Sequence, residues 1–195
     1  MPKPFSYVVD HDDGFSPYPF RGFCTLARCK FGSPHRRNIV ELAKFGDWIV
    51  GTGGAGPRSA GHGKLIYAMR VTEKLTLRKY LTDPRFKGRP DNYGADAHNT
   101  KRFALISRDF FYFGTRAPDL KNVPRPHVNH PLEKRGPGFK SDFTEPFIAD
   151  FAAWLRSKFR RGVHGLPCGG RPSQAPQVVC HRAPPRAFAC PVRNC

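Results

Sequence analysis

Two apolar segments joined by a glycine-rich connection dominate residues 45–71. In residues 47–51, Trp48 and Val50 fall on one face of an extended chain, and residues 64–71 divide between two faces in the same way. Period-two alternation with β-branched and aromatic side chains is typical of β-strands. The pattern therefore predicts a β-hairpin, and we expect the rest of the chain to build a sheet around it.

The connection between the two predicted strands is unusually rich in glycine. Glycine has no Cβ, so it adopts positive φ values readily and lets the backbone lie close to a ligand. We therefore expect the hairpin to belong to a small barrel with a binding mouth at its glycine end. The glycines concerned are Gly51, Gly53, Gly54 and Gly56.

The net charge of the chain indicates which kind of partner to expect. A formal net charge of +18 favours a polyanion, and nucleic acid is the commonest polyanion that proteins bind. DNA is the expected partner, with RNA or a free nucleotide as alternatives. A basic surface that binds DNA without specificity would carry the same charge, so charge alone does not establish a specific site.

The remaining elements follow from periodicity and from turn residues. Pro and Gly make up a fifth of the 195 residues, which favours short strands and many turns over long helices. The clearest helix is predicted at residues 142–161, which carry an apolar stripe and basic residues at the C-terminal end. Its first turn is capped either by an Asp142–Glu145 capping box or by Thr144. Strands are predicted at residues 5–9, 22–30, 103–106 and 110–113, and shorter helices at 36–45 and 72–81.

The composition changes near residue 163, which divides the chain into a domain, residues 1–163, and a basic tail, residues 164–195. The tail is rich in Pro, Arg and Cys and lacks periodicity, so we expect it to be disordered. It contains no C-x₂-C pair, and we expect neither a metal nor a cofactor. The N-terminus has no apolar signal segment and no stretch could span a membrane, so we expect a cytoplasmic protein with free thiols.

Several separated blocks, in order along the chain, resemble one family. They are D-x-G-F-x-P-x-P-F at residues 12–20, C-T-L-A-x-C-K at 24–30, GDWIVGTGG at 46–54, KLIYAMRVTEKL at 64–75 and LIS-x-DFFYFG at 105–114. Together they are similar to the second nucleotide-modification-associated domain family of phages and bacteria. The resemblance spans residues 7–167 and implies a role in DNA base hypermodification, alongside other base-modification enzymes. It also implies a PUA-like β-barrel, akin to EVE, YTH and ASCH domains, with short flanking helices and a C-terminal amphipathic helix.

A pocket for a nucleobase needs an aromatic platform, hydrogen-bonding edges and a basic rim. Each of these residues could equally serve the core or a solvated surface, because aromatic side chains in β-rich domains are usually core. The predicted platform is Tyr18, Phe20, Trp48 and Tyr112; the predicted base-reading groups are Asp47, Thr52, Gly53, Gly54 and Asn99; and the predicted phosphate contacts are Arg21, Arg28, Lys30, Arg36, Arg37, Arg58 and Lys64.

No catalytic signature is present in the sequence. Walker, nucleophile-elbow, zinc-deaminase and zincin patterns are all missing, which favours a binding module over an enzyme. The weak catalytic candidates are Asp12, Asp13 and His98, with His11 as a neighbour. A solvated Asp–Gly turn at a strand end explains the first two equally well.

Overall fold

The computed structural model describes residues 2–33, 36–93, 102–125 and 131–170. These residues form nine β-strands in two sheets together with three α-helices, which confirms the predicted α+β class. The strands are β1 Pro4–His11, β2 Cys24–Leu26, β3 Trp48–Arg58, β4 Leu65–Arg70, β5 Glu73–Thr76, β6 Phe103–Ser107, β7 Asp109–Tyr112, β8 Phe139–Lys140 and β9 Gly162–Val163; the helices are α1 Ile39–Leu42, α2 Leu77–Thr82 and α3 Glu145–Lys158.

The larger sheet has the strand order β8-β1-β3-β4-β7-β9, and the smaller sheet has the order β2-β6-β5. The β1–β3 and β7–β9 pairs are parallel, whereas the other pairs are antiparallel. β6 is the central strand of the small sheet, and Tyr18 exchanges two backbone hydrogen bonds with Thr25 on the other side of β2, at 2.9 and 3.0 Å. The two sheets do not close on each other, and the predicted β-barrel is not confirmed.

The predicted hairpin is confirmed as the β3–β4 pair, and its side-chain alternation organises the packing. Ile49 points into a core between the two sheets, which α1 also joins. Trp48 and Val50 point to the opposite face, where α3 covers the larger sheet. A third cluster packs α2 against the outer face of the small sheet. The order of layers is thus α3, large sheet, small sheet and α2.

The glycines of the hairpin serve a different purpose from the one predicted. β3 continues to Arg58, so these glycines lie within a strand, and none of them has a positive φ. A Cβ on Gly51 would meet the Tyr67 ring, and one on Gly53 would meet the carbonyl oxygen of Gly61. The glycines are therefore required because β3 lies very close to its own neighbours, and the chain reverses later, at residues 59–64.

Four of the other predicted elements are shorter or different. The predicted helix 72–81 begins as β5 and becomes α2 only at Leu77, while the predicted helix 36–45 is reduced to the single turn α1. The predicted strand 22–30 is reduced to β2. Thr144, rather than an Asp142–Glu145 capping box, precedes α3. The capping box lies instead at α1, where Asn38 and Glu41 cap each other's backbone and so fix the helix start.

The segment after α3 crosses back over the large sheet. β9 pairs with β7, and the amide of His164 donates to the carbonyl of Tyr112 at 2.8 Å. Farther on, the amides of Cys168 and Gly169 both donate to Asp12, at the end of β1. These contacts involve residues within 164–170, the start of the tail predicted to be disordered, and the rest of that tail, residues 171–195, lies outside the described residues. None of the described helices combines the length and apolar character that a membrane span requires.

Candidate functional site

A cavity of about 360 Å³ opens beside the edge of β1. β8 pairs only with Ser6 and Tyr7, so within the described residues the edge of β1 beyond Tyr7 has no neighbouring strand on that side. The cavity is lined by this edge, residues 7–11, together with Ser16, Cys29, Lys30 and the Gly-Pro-Gly turn at residues 136–138. Ligand pockets in proteins begin at about this volume.

Lys30 has the most constrained backbone in this cavity. Its φ of 60° lies in the left-handed region, which costs a non-glycine residue about 1–3 kcal/mol and is often found at functional sites. Its ammonium lies 4.2 Å from the centre of the Tyr7 ring, a cation–π distance. The backbone conformation thus directs a cation over an aromatic face at the wall of the cavity.

The thiol of Cys29, which also lines this cavity, lacks the lowered pKa of a reactive cysteine. The Ser16 hydroxyl donates to the Cys29 sulfur at 3.2 Å, and burial raises the pKa of the Cys29 thiol. A thiol with a raised pKa stays protonated at neutral pH, so it is a poor nucleophile and a poor metal ligand. Cys29 therefore belongs to the wall of the cavity, and the cysteines that the structure describes, Cys24, Cys29 and Cys168, are free thiols, as predicted.

A second cavity of about 240 Å³ adjoins the first. Its lining includes Ser33, Arg36, Arg37 and Asn38, and Gly138 lines both cavities. Ser33 and Arg36 exchange two backbone hydrogen bonds, at 2.8 and 3.2 Å. The side chains of Arg36 and Arg37 are exposed.

The carboxylates of Asp12 and Asp13, two of the predicted catalytic candidates, bond to other groups of the protein. The Tyr112 hydroxyl donates to one oxygen of Asp12 at 2.5 Å, and the Cys168 amide donates to the other at 3.1 Å. Burial outweighs these bonds and raises the pKa of Asp12. Asp13 forms an ion pair with Arg58 at 2.9 Å. His98 lies outside the described residues, and in the part of the chain that is described no group of His, Cys, Asp and Glu could hold a metal ion.

Most of the predicted aromatic platform is buried. Trp48 is 2% exposed and packs edge-on against Phe151 beneath α3. Tyr18 and Tyr112 are also buried, whereas Phe20 is half-buried, with its ring 6.4 Å from that of Tyr112. Phe20 is thus the one member of the predicted platform with an appreciably accessible ring.

The predicted base-reading groups bond mainly to the protein itself. The Asp47 carboxylate accepts hydrogen bonds from the amides of Lys3 and Lys44, and Thr52 donates to the carbonyl of Tyr7. Gly53 and Gly54 are buried in β3, and Asn99 lies outside the described residues.

The predicted phosphate contacts divide into two groups. Arg58 and Lys64 form ion pairs with Asp13 and Asp119, Arg21 donates to the carbonyl of Gly88, and Arg28 lies over the Tyr93 ring. The second group, Lys30, Arg36 and Arg37, lines the two cavities that share Gly138. Sequence reasoning missed Ser16, Cys29 and residues 136–138 as cavity walls, because no local pattern links segments so far apart in the chain.

A family model described as nucleotide modification associated domain 2 matches residues 1–100, which is more than half of the chain. The chain belongs to this family. The region that matches nucleotide modification associated domain 2 contains the β1 edge, Lys30 and both arginines of the second cavity, whereas residues 136–138 and α3 lie beyond it. Comparisons with curated proteins and with solved structures found no match.

Proposed function

We propose that this member of the nucleotide modification associated domain 2 family is a binding module for a modified base in a DNA base-hypermodification pathway. The observation that carries the proposal is the strained Lys30, which holds an ammonium over Tyr7 at the wall of the β1 cavity. An ammonium over an aromatic ring and the edge of β1, both at the wall, offer polar contacts to the edge of a planar base. The proposal includes a PUA-like ancestry, a cytoplasmic setting and DNA as the partner.

The test is binding of the full chain to matched oligonucleotides that carry plain or 5-hydroxymethylated pyrimidines, at two salt concentrations. A base pocket predicts a preference for one base type that survives the higher salt, because contacts with a base release few counterions. Equal affinity for all oligonucleotides, with a steep loss at high salt, would reduce the activity to nonspecific binding of DNA and would contradict the proposal.

Lys30→Ala is the most informative variant, and Lys79→Ala is its matched control. Lys79 is an exposed lysine on α2 that lines neither cavity. We expect Lys30→Ala to remove the preference between bases, while Lys79→Ala lowers all affinities slightly and equally. Trp48→Ala is a poor probe, because removal of this buried side chain would destabilise the fold.

A second candidate function is an enzyme that modifies a nucleotide itself. The raised pKa of the buried Asp12 favours it, since carboxyl groups with perturbed pKa values often act as acids or bases. An enzyme of this kind predicts that Asp12→Asn abolishes turnover of nucleotides and leaves their binding unchanged. Turnover that is absent from the wild type as well would leave the binding module as the function.

A further inference from the structure

The two adjoining cavities differ in chemistry, and their arrangement suggests which part of a ligand each one holds. The larger cavity offers a strand edge that includes Asp10 and His11, a thiol and a hydroxyl, with one ammonium at its wall. The smaller cavity offers two guanidinium groups, Arg36 and Arg37. Gly138, with a φ of 90°, forms part of both walls, so a single residue separates the two spaces.

We infer that the two cavities form one bipartite site, which takes a nucleotide with its base in the larger cavity and its phosphate at Arg36 and Arg37. This inference rests on the proposed function and adds to it the chemical class of the ligand. The ligand is a single nucleotide monophosphate, which the site also binds outside a strand, rather than a nucleoside or a free base.

The electrostatics of the smaller cavity favour a dianion. Within the described residues, neither Arg36 nor Arg37 forms an ion pair, and both side chains are exposed. The acidic residue nearest in sequence is Glu41, in α1, whose carboxylate accepts hydrogen bonds from the amides of Gly32 and Asn38 at 2.9–3.0 Å. Among the residues that the structure describes, no ion pair joins Glu41 to either guanidinium group. Guanidinium groups bind phosphate oxygens in pairs, with charge-assisted hydrogen bonds.

Hydrogen bonds hold the backbone on both sides of the two arginines. Ser33 and Arg36 pair through their backbones, and the Asn38–Glu41 capping box fixes the start of α1. Lys30, earlier in the chain, lies at the wall of the larger cavity. Lys30, Arg36 and Arg37 thus line two cavities that share Gly138.

The experiment compares the affinities of thymidine, deoxycytidine and their 5-hydroxymethyl derivatives with those of the corresponding 5′-monophosphates, by calorimetry on the full chain. We expect each monophosphate to bind at least about tenfold more tightly than its nucleoside. The double variant Arg36→Gln/Arg37→Gln should remove this difference and leave the affinity for the nucleosides unchanged. The matched control is Arg78→Gln/Lys79→Gln, two exposed cations on α2, which should retain the difference.

Three results would overturn the inference. Nucleosides and monophosphates could bind equally well, or the difference could survive in the double variant; either result would place the phosphate elsewhere and leave the proposed function standing. Alternatively, oligonucleotides could bind with a preference between bases while no mononucleotide binds, so that the site would need more than one nucleotide. Failure of the oligonucleotides to bind, in contrast, would contradict the proposed function itself.

Discussion

Gly53 is a residue whose lack of a side chain is required by its surroundings. It lies in β3, and a Cβ on it would overlap the backbone carbonyl of Gly61, which has little freedom to move aside. Overpacking of this kind typically costs about 1–3 kcal/mol. We expect Gly53→Ala to lower the free energy of unfolding by at least about this amount, measured by urea denaturation and circular dichroism.

Ala55 provides the control for this substitution, since it is an exposed residue on the same strand. Ala55→Ser should change the free energy of unfolding by no more than about 0.5 kcal/mol. If Gly53→Ala were as mild as Ala55→Ser, close approach of Gly61 would not be the reason for a glycine at this position.

Asp12 gives the stability of the fold a dependence on pH. Burial raises the pKa of its carboxyl group, so the folded state favours the protonated form. Such a group stabilises the fold below its unfolded pKa of about 4, and this contribution is lost as the pH rises through the folded pKa. We expect the free energy of unfolding of the wild type to fall over this range, relative to that of Asp12→Asn, in urea denaturation at a series of pH values.

Tyr112→Phe tests the same carboxyl group without removing it. The Tyr112 hydroxyl lowers the pKa of Asp12 by donating to it, so its loss should move the pH-dependent fall in stability to higher pH. A stability profile that is identical in the wild type and both variants would show that Asp12 does not titrate differently in the folded and unfolded chain.

The sequence predicted which face of a strand a side chain occupies better than whether that side chain belongs to the core or to a binding surface. The alternation of Trp48 and Ile49 was readable because it depends on strand periodicity alone. The roles of Trp48 and Tyr112 were not readable, because an aromatic side chain in a core and one on a binding face follow the same local pattern. Trp48 is covered by Phe151 of α3, and Tyr112 is bonded to Asp12; each partner lies about 100 residues away in the chain.

At the scale of elements, a buried arginine holds the loop before β2 against the loop after α2. The Arg89 guanidinium donates to the carbonyls of Tyr18 and Phe20 and to the Thr25 hydroxyl, at 2.9–3.0 Å, and lies 3.5 Å from Asp91. Breaking a buried ion pair by removing one partner costs about 3–5 kcal/mol. We expect Arg89→Met to lower the free energy of unfolding by this amount, as measured by chemical denaturation.

Two variants distinguish the effect of removing a buried arginine charge on the free energy of unfolding from the effect of removing an exposed one. Arg85→Met removes a surface arginine that pairs with Glu73 and Asp83, and it should cost only about 0–1 kcal/mol. Arg89→Met/Asp91→Leu removes both buried charges and should be less destabilising than Arg89→Met alone. Equal costs for Arg85→Met and Arg89→Met would mean that the buried pair does not hold the two loops together.

Helices and strands were predicted correctly where one sequence pattern covers the whole segment, and less well where helix and strand preferences overlap. The amphipathic stripe predicted α3, and the alternation predicted β1, β3, β4, β6 and β7, because each pattern is intrinsic to its segment. The predicted helix 72–81 was right only in its second half, α2, because the residues before Leu77 are recruited as β5 by pairing with β6. The small sheet depends on such long-range pairing, so its topology and the missing barrel closure could not be read locally.

For the whole molecule, we expect the net charge of +18 to attract a polyanion independently of the cavity, and under the proposed function that polyanion is DNA. Residues 171–195 contain four arginines, at positions 171, 182, 186 and 193, and no acidic residue. Replacing all four by glutamine should reduce the slope of log affinity against log salt by up to about 3.6, because each phosphate that an arginine neutralises adds about 0.9 to that slope.

The same variant should keep the preference between plain and modified bases, because the β1 cavity is formed by residues that it leaves untouched. Fluorescence anisotropy across a salt series, with both kinds of oligonucleotide, measures the slope and the preference together. Loss of the preference along with the four arginines would mean that the basic C-terminal residues take part in reading the base.

The backbone amides that bind Asp12 come from Cys168 and Gly169, at the opposite end of the described chain. During translation, residue 12 leaves the ribosome long before these partners exist. The nascent domain must therefore wait, with one corner of its large sheet incomplete, until α3 and β9 have been made. Folding at this corner can therefore be completed only after residue 169 has been made, and a chain stalled before residue 168 would present an unfinished sheet to chaperones and proteases.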